Sequence, residues 1–200
     1  MKKMIFALLL SLLSSCGPHY VDYFPYHDDG RMKPHVAFLP VINSLPKTLP
    51  SDVSNDMANA IHYHLMDSGQ LYALPEEQVK AGIEQCGGLA FFEKDCAFAQ
   101  QYKDADFIVI IDLIDHTYEN CNSRGIAQLV LKARVKVIDA RFRESSIALQ
   151  EIMARDYTVY AVPGAFETEQ EHYAMSISKA HNKFAVEIAQ RIEQVILCER

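Results

Sequence analysis

The chain has 200 residues and a formal charge of −7, and half of its residues are hydrophobic, ten of them phenylalanine. That apolar share excludes a disordered chain. An acidic balance without a basic stripe excludes nucleic acid as a partner and electrostatic docking on anionic lipid.

Lys2 and Lys3 form a short positive region, and Met4 to Leu13 (MIFALLLSLL) is almost wholly apolar. Such a core, about 10 residues or about 15 Å as a helix, is too short for a bilayer of roughly 30 Å. It has the length of a signal-peptide hydrophobic region. Leu13-Ser14-Ser15-Cys16 follows at once and resembles the lipobox of bacterial lipoprotein precursors: leucine, two small residues, then cysteine at the end of the apolar run. The resemblance implies that residues 1–15 are a removable signal and that Cys16 is the lipid-attachment residue, carrying diacylglycerol on its thiol and an acyl chain on its new amine. An ordinary secretory signal with an incidental cysteine is the alternative, because a small-residue cleavage site also fits. Each buried CH₂ contributes about 0.8 kcal/mol, so two or three acyl chains anchor durably where one does not. Losing the signal removes two lysines and no acidic residue, which leaves a mature charge of −9 on 185 residues. That length suits one domain with a proper core. Gly17 stands where lipoproteins retained in the inner membrane carry aspartate. The resemblance therefore implies export to the outer membrane, with the domain facing the periplasm.

Residues 16–34 read as a lipidated cysteine and a flexible tether, with Gly17, Pro18, Pro25, Gly30 and Pro34 and no usable periodicity. Tyr20, Tyr23, Phe24 and Tyr26 either rest at the headgroup layer or a partner, or pack back on the domain. A globular domain is expected over 35–200. His35 to Ile42 predicts a buried strand. Ser51-Asp52 opens a helix with Val53, Met57, Ile61 and Leu65 on one face, and Ser68-Gly69 ends it. Leu71 to Leu74 predicts a short strand. Pro75-Glu76-Glu77 suits a first helical turn that ends at Gly87-Gly88, and Asp95 to Tyr102 a further short helix. Phe107 to Ile114 (FIVIIDLI) is a continuous apolar strand. Ile126 to Ala140 alternates, and with Ser145 to Ala161 it makes a long hairpin. Thr168 and Glu171 form a capping-box pattern before a long helix whose inner stripe is Tyr173, Ile177, Phe184, Ile188, Ile192 and Val195. The fold class is α/β (α+β): one domain, a mixed sheet of about five strands, helices packed on it and a long terminal helix.

Four stretches resemble the α/β domain shared by curli-secretion lipoproteins, lipoprotein activators of penicillin-binding proteins and the N-terminal domain of the Tol-system propeller protein. They are Val36 to Pro40 with Asn43, Leu65 to Leu74, Ala105 to Val109, and Arg134 to Asp139. Asp104 replaces the usual glycine before Ala105-Asp106, and the glycine after Val137-Ile138-Asp139 is missing. The resemblance implies envelope assembly work, by a scaffold or binding factor or by a subunit of an oligomeric outer-membrane secretion complex. An envelope protein is the expected partner, and homo-oligomerisation stays open.

Catalysis is not expected. Asp112, Asp115 and His116 invite an acid/base reading, yet in a regular strand residues three apart, or adjacent, face opposite ways. His62 and His64 lie about 200° apart around a helix and cannot chelate one metal. His172 and His181 read as solvated or helix-flanking residues. Ser145-Ser146 lacks the G-x-S-x-G context of a nucleophile elbow. No P-loop, GxGxxG, HExxH or CxxC occurs, so no cofactor or metal is expected. Lys132, Arg134 and Lys136 read as the solvated side of an edge hairpin, with an acidic partner as the alternative. Of Cys86, Cys96, Cys121 and Cys198, the pair Cys86 and Cys96 is the first candidate for a disulfide, and buried thiols are the alternative.

Overall fold

The structure, a computed structural model, describes residues 24–45, 51–86, 96–123, 125–160 and 175–198. They form β1 (His35–Phe38), β2 (Ile42–Asn43), α1 (Ser51–Asp67), β3 (Tyr72–Ala73), α2 (Glu76–Gln85), a 3₁₀ helix (Cys96–Gln101), β4 (Phe107–Glu119), β5 (Ile126–Asp139), β6 (Ser146–Tyr160) and α3 (Ile177–Cys198). The strands make one six-stranded sheet in the order β3-β1-β4-β5-β6, with β2 also on β4. β1, β2 and β3 run parallel to their neighbours, and β4, β5 and β6 are an antiparallel meander. The expected α/β class with a mixed sheet and a long terminal helix is what the chain forms.

Pro40 divides the strand expected over His35 to Ile42. Proline has no N–H for the ladder, so β1 pairs with Phe107 to Val109 and β2 with Asp112 and Leu113, on either side of the break. Asp106 ties β1 in place by accepting the His35 N–H at 2.8 Å.

Two apolar layers cover the sheet. On one face Phe107, Val109, Ile111 and Leu113 of β4 meet Met57, Ile61 and Leu65 of α1 and Phe184, Ile188 and Ile192 of α3. On the other, Ile108, Ile110 and Ile138 meet Val79 of α2 and Phe98 and Ala99 of the 3₁₀ helix. Phe107 to Ile111 of β4 are therefore all apolar, because both faces of the strand are covered there.

The β4–β5 register slips between Leu113 and Asp115. Ile114 is the extra residue of a bulge, and beyond it the two faces exchange. Asp115 then shares the α2 side with Asp112, while His116 and Tyr118 turn to the α1 and α3 side. β4 runs on to Glu119, past the expected end at Ile114, because the hairpin partner β5 continues to pair with it.

Two other expectations change. The last part of the expected tether has structure: Tyr26 bridges Met32, the Gly30 N–H reaches His27 O at 2.8 Å, and Lys33 is buried. Thr168, Glu171, Tyr173 and His172 lie outside the described residues, and the terminal helix begins at Ile177. Ser176 caps it, with its Oγ accepting the Lys179 N–H at 3.2 Å, and Met175 before it bridges Val159 of β6. The expected stripe holds where it is described, since Phe184, Ile188 and Ile192 are buried.

Candidate interaction surface

β6 ends the strand order, so one of its sides carries backbone groups with no strand opposite among the described residues. Which residues present them follows from the hydrogen bonds at its far end. Thr158 O accepts the Met175 N–H at 2.9 Å, and the Tyr160 N–H donates to Met175 O at 3.1 Å. Even-numbered residues therefore face outward, because backbone direction alternates along a strand. The β5 pairing is unbroken from Leu149 to Tyr160, so Gln150, Ile152, Ala154 and Asp156 present their N–H and C=O groups to the open edge. Fifteen residues is long for an edge strand, and such an edge is a template for another chain.

Odd-numbered side chains of β6 point toward α3. Leu149, Met153 and Tyr157 are buried there, and the charged Glu151 and Arg155 share their face. Arg191 of α3 meets Glu151 with both arms, Nε to Oε1 at 2.9 Å and Nη2 to Oε2 at 3.1 Å. Arg155 Nε pairs with Glu187, and the Tyr157 hydroxyl donates to Glu187 Oε1 at 3.2 Å. Burial, and then the Glu187 carboxylate, push the Tyr157 phenol pKa above its ordinary value. Glu151, Met153, Arg155, Glu187 and Arg191 line an open groove of about 430 Å³ between β6 and α3. Ile152 beside it is 63% exposed, with Ile147 and Phe142 also exposed toward the hairpin tip. Sequence reading missed this surface. Its signal was Glu-x-x-x-Arg occurring twice, at 151/155 and 187/191, in two elements that pack antiparallel.

The residues singled out from sequence sit elsewhere. Asp112 and Asp115, expected on opposite faces, share one face because of the Ile114 bulge, and each carries an ion pair. Arg134 Nε donates to Asp112 Oδ2 at 3.0 Å, and Lys132 Nζ stands 3.0 Å from Asp115 Oδ2. The basic row is consequently not a solvated hairpin face. β5 lies inside the sheet, Lys136 is 2% exposed and Asp112 1%.

His116 and Asp115 do point opposite ways. The His116 Nε2 lies 3.0 Å from the Nε2 of His181 on α3, so His181 is a half-buried partner rather than a solvated residue. Burial and the neighbouring His116 ring hold the His181 pKa down at about 4, against a weaker upward pull from Asp56. Burial also lowers that of His116. His62 stacks edge-on to Phe38, and the His64 ring stands 3.4 Å from Asn182 Oδ1, so the two face different surroundings. Ser145 Oγ accepts from Gln100 at 2.7 Å. Cys86 and Cys96 both pack on the α2-side apolar layer without forming a disulfide, and the Cys86 thiol lies 3.9 Å from Phe98 O. Cys16 lies outside the described residues. Among the described residues no cluster of three His, Cys, Asp or Glu can hold a metal, and no helix is long and apolar enough to cross a membrane.

A family model matches residues 22–200, the whole sheet and its helices. The chain belongs to the family of unknown function DUF7499. No curated protein matches it. Among solved structures, this family member is similar to the hypothetical protein CT253 from Chlamydia trachomatis, at 20% identity and a TM-score of 0.62, over 82% of this chain and 98% of that one. Protein XCC0632 from Xanthomonas campestris follows at 7% identity and 0.51, over 83% and 87%. Lipoprotein GNA1162 from Neisseria meningitidis has 11% identity and 0.48, over 80% and 99%. Likeness at this level of identity gives the fold alone.

Proposed function

We propose that this DUF7499 protein is an exported envelope lipoprotein, held in the outer membrane by lipid on Cys16, whose periplasmic domain is a non-enzymatic binding, scaffold or assembly factor. The observation that carries the reading is the run Lys2-Lys3, Met4 to Leu13 and Leu13-Ser14-Ser15-Cys16. Phe24, Tyr26 and Met32 add support. They stand exposed 8 to 16 residues beyond Cys16, where apolar side chains and the amphipathic ring of Tyr26 can meet headgroups. The open β6 edge supports a protein partner, since main-chain pairing plus flanking side chains is a general recognition mode. The acidic and basic side chains that gather on the sheet are tied to one another in ion pairs, which suits structure and docking better than proton transfer.

Labelled palmitate tests the anchor. Wild-type chain takes up label and sediments with membranes, and Cys16→Ala does neither. Equal labelling of both forms would remove the anchor. In-cell crosslinking followed by mass spectrometry identifies the partner. A second reading, a subunit of an oligomeric secretion complex, draws on the same open edge. It requires detergent-stable rings by size exclusion with light scattering.

A further inference from the structure

We propose that the partner of the β6 edge is a second copy of this chain, paired antiparallel about a twofold axis at Met153. This rests on the reading of β6 as a protein-docking edge and not on lipidation. Three independent features select both the occupant and the register.

The first is the extent of the edge. The Thr158 carbonyl and the Tyr160 N–H are already taken by Met175, which occupies that end of the edge, and the β6 register is irregular before Leu149. What stays open is Gln150, Ile152, Ala154 and Asp156, and the centre of that set is Met153. A twofold axis there sets Gln150 opposite the partner's Asp156 and Ile152 opposite the partner's Ala154. Every open residue lies in a hydrogen-bonded pair, so each exchanges two bonds.

The second is charge. On the α3 side the same axis places Glu151 opposite the partner's Arg155, and Arg155 opposite the partner's Glu151. Each arginine then lies between its own helix carboxylate, Glu187, and a carboxylate from the other copy. Opposite charges directly across a ladder stabilise it, and like charges destabilise it. A twofold axis at residue 151 would oppose Glu151 to itself, and one at residue 155 would oppose Arg155 to itself. Axes at Ile152 or Ala154 leave these charges facing apolar residues or Tyr157. Only the axis at Met153 matches signs.

The third is the remaining apolar surface. Leu149, Met153 and Tyr157 are already buried under α3, and the exposed Ile152 gains cover against the partner's Ala154 on the outer face. A self-complementary patch of this kind closes a pair and leaves no β6 edge open to a third copy. An acidic chain needs such local complementarity, because its overall charge resists association.

Full-length protein in detergent, with exposed Cys121 and Cys198 changed to serine, provides the test. In the Met153 register two Met153→Cys residues face each other as a non-hydrogen-bonded pair, with Cα atoms about 4.5 Å apart, within disulfide range. Mild oxidation should give a covalent dimer with Met153→Cys and none with Leu149→Cys. Light scattering on the wild-type chain should give twice the chain mass. Ala154→Pro removes an outward N–H and no bond to β5, and proline is tolerated on that side of an edge strand. It should raise the dimer Kd at least about tenfold while the melting temperature stays within a few degrees.

A wild-type chain of single mass without a Met153→Cys dimer overturns the proposal. A dimer linked through Ile152→Cys instead overturns the register. If Met153→Cys links only to a different envelope protein, the second copy is wrong while the docking edge survives. If it links to nothing, both fail.

Discussion

His116 and His181 meet Nε2 to Nε2 at 3.0 Å, and one ring must donate the only proton between them. A second proton would turn that bond into a repulsion inside a half-buried site. This is why burial, and then His116, hold the His181 pKa near 4, well below an ordinary histidine. In the unfolded chain the same ring titrates near 6.5. Between about pH 6.5 and 4 the unfolded state thus takes up a proton that the native state refuses. Stability from this pair is complete above pH 6.5, is lost as pH falls through that window, and changes no further below pH 4. After allowing for partial exposure, the loss is about 1–2 kcal/mol. Urea unfolding from pH 7.5 to 4 should show it as a falling midpoint, and His181→Gln should flatten that slope. A wild-type midpoint level across the window would refute the pairing. The sequence hid this contact because histidine at position 116 faces the helices only through the bulge at Ile114. A bulge is a property of two paired strands and leaves no periodic trace in one of them.

Between elements, a single missing carbon decides how α2 seats. Gly82 sits inside α2, where alanine is normally better by about 1 kcal/mol. Here a Cβ would stand 2.7 Å from Tyr102 Cζ, against a buried ring fixed beside the 3₁₀ helix. Overpacking of this kind costs about 1–3 kcal/mol, so it outweighs the propensity gain. Gly82→Ala should lower the melting temperature by a few degrees, where a helix-propensity argument expects a rise. Thermal unfolding followed by circular dichroism separates the two signs.

Most elements were legible because each carries a local pattern. β4 has seven buried residues in a row, α1 repeats Met57, Ile61 and Leu65, and α3 repeats Phe184, Ile188 and Ile192. What escaped depends on distant partners. The strand read as one through Ile42 breaks around Pro40, where the register against β4 slips by one residue between Phe38 and Ile42. The terminal helix starts after Ser176, because Met175 just before it is claimed by β6; the capping pattern at Thr168 lies outside the described residues. The candidate surface was least legible of all. Lys132 and Arg134 looked like a solvated row only while β5 was taken for an edge. Glu151 and Arg155 became informative once β6 proved to be one.

Across the whole molecule the sheet grades from a covered centre to an open side, and that gradient sets how its amides exchange. β4 from Phe107 to Leu113 and β5 from Gln128 to Asp139 are paired along both sides and buried under α1 and α3, so their amides should open only with global unfolding. Along β6 two populations should alternate. Amides of Leu149, Glu151, Met153, Arg155 and Tyr157 bond to β5 and should be slow. Those of Gln150, Ile152, Ala154 and Asp156 face the open edge and should be fast in dilute solution. Tyr160 is the internal control, since its N–H faces the same way yet is held by Met175 O. Raising the protein concentration should slow the four fast amides together and leave Tyr160 unchanged, because pairing through β6 protects those four alone. Hydrogen exchange resolved to single amides by NMR reads both effects. A uniform rate from 149 to 157 would remove the outward geometry itself. Alternation that ignores concentration would keep the open edge and remove the second copy.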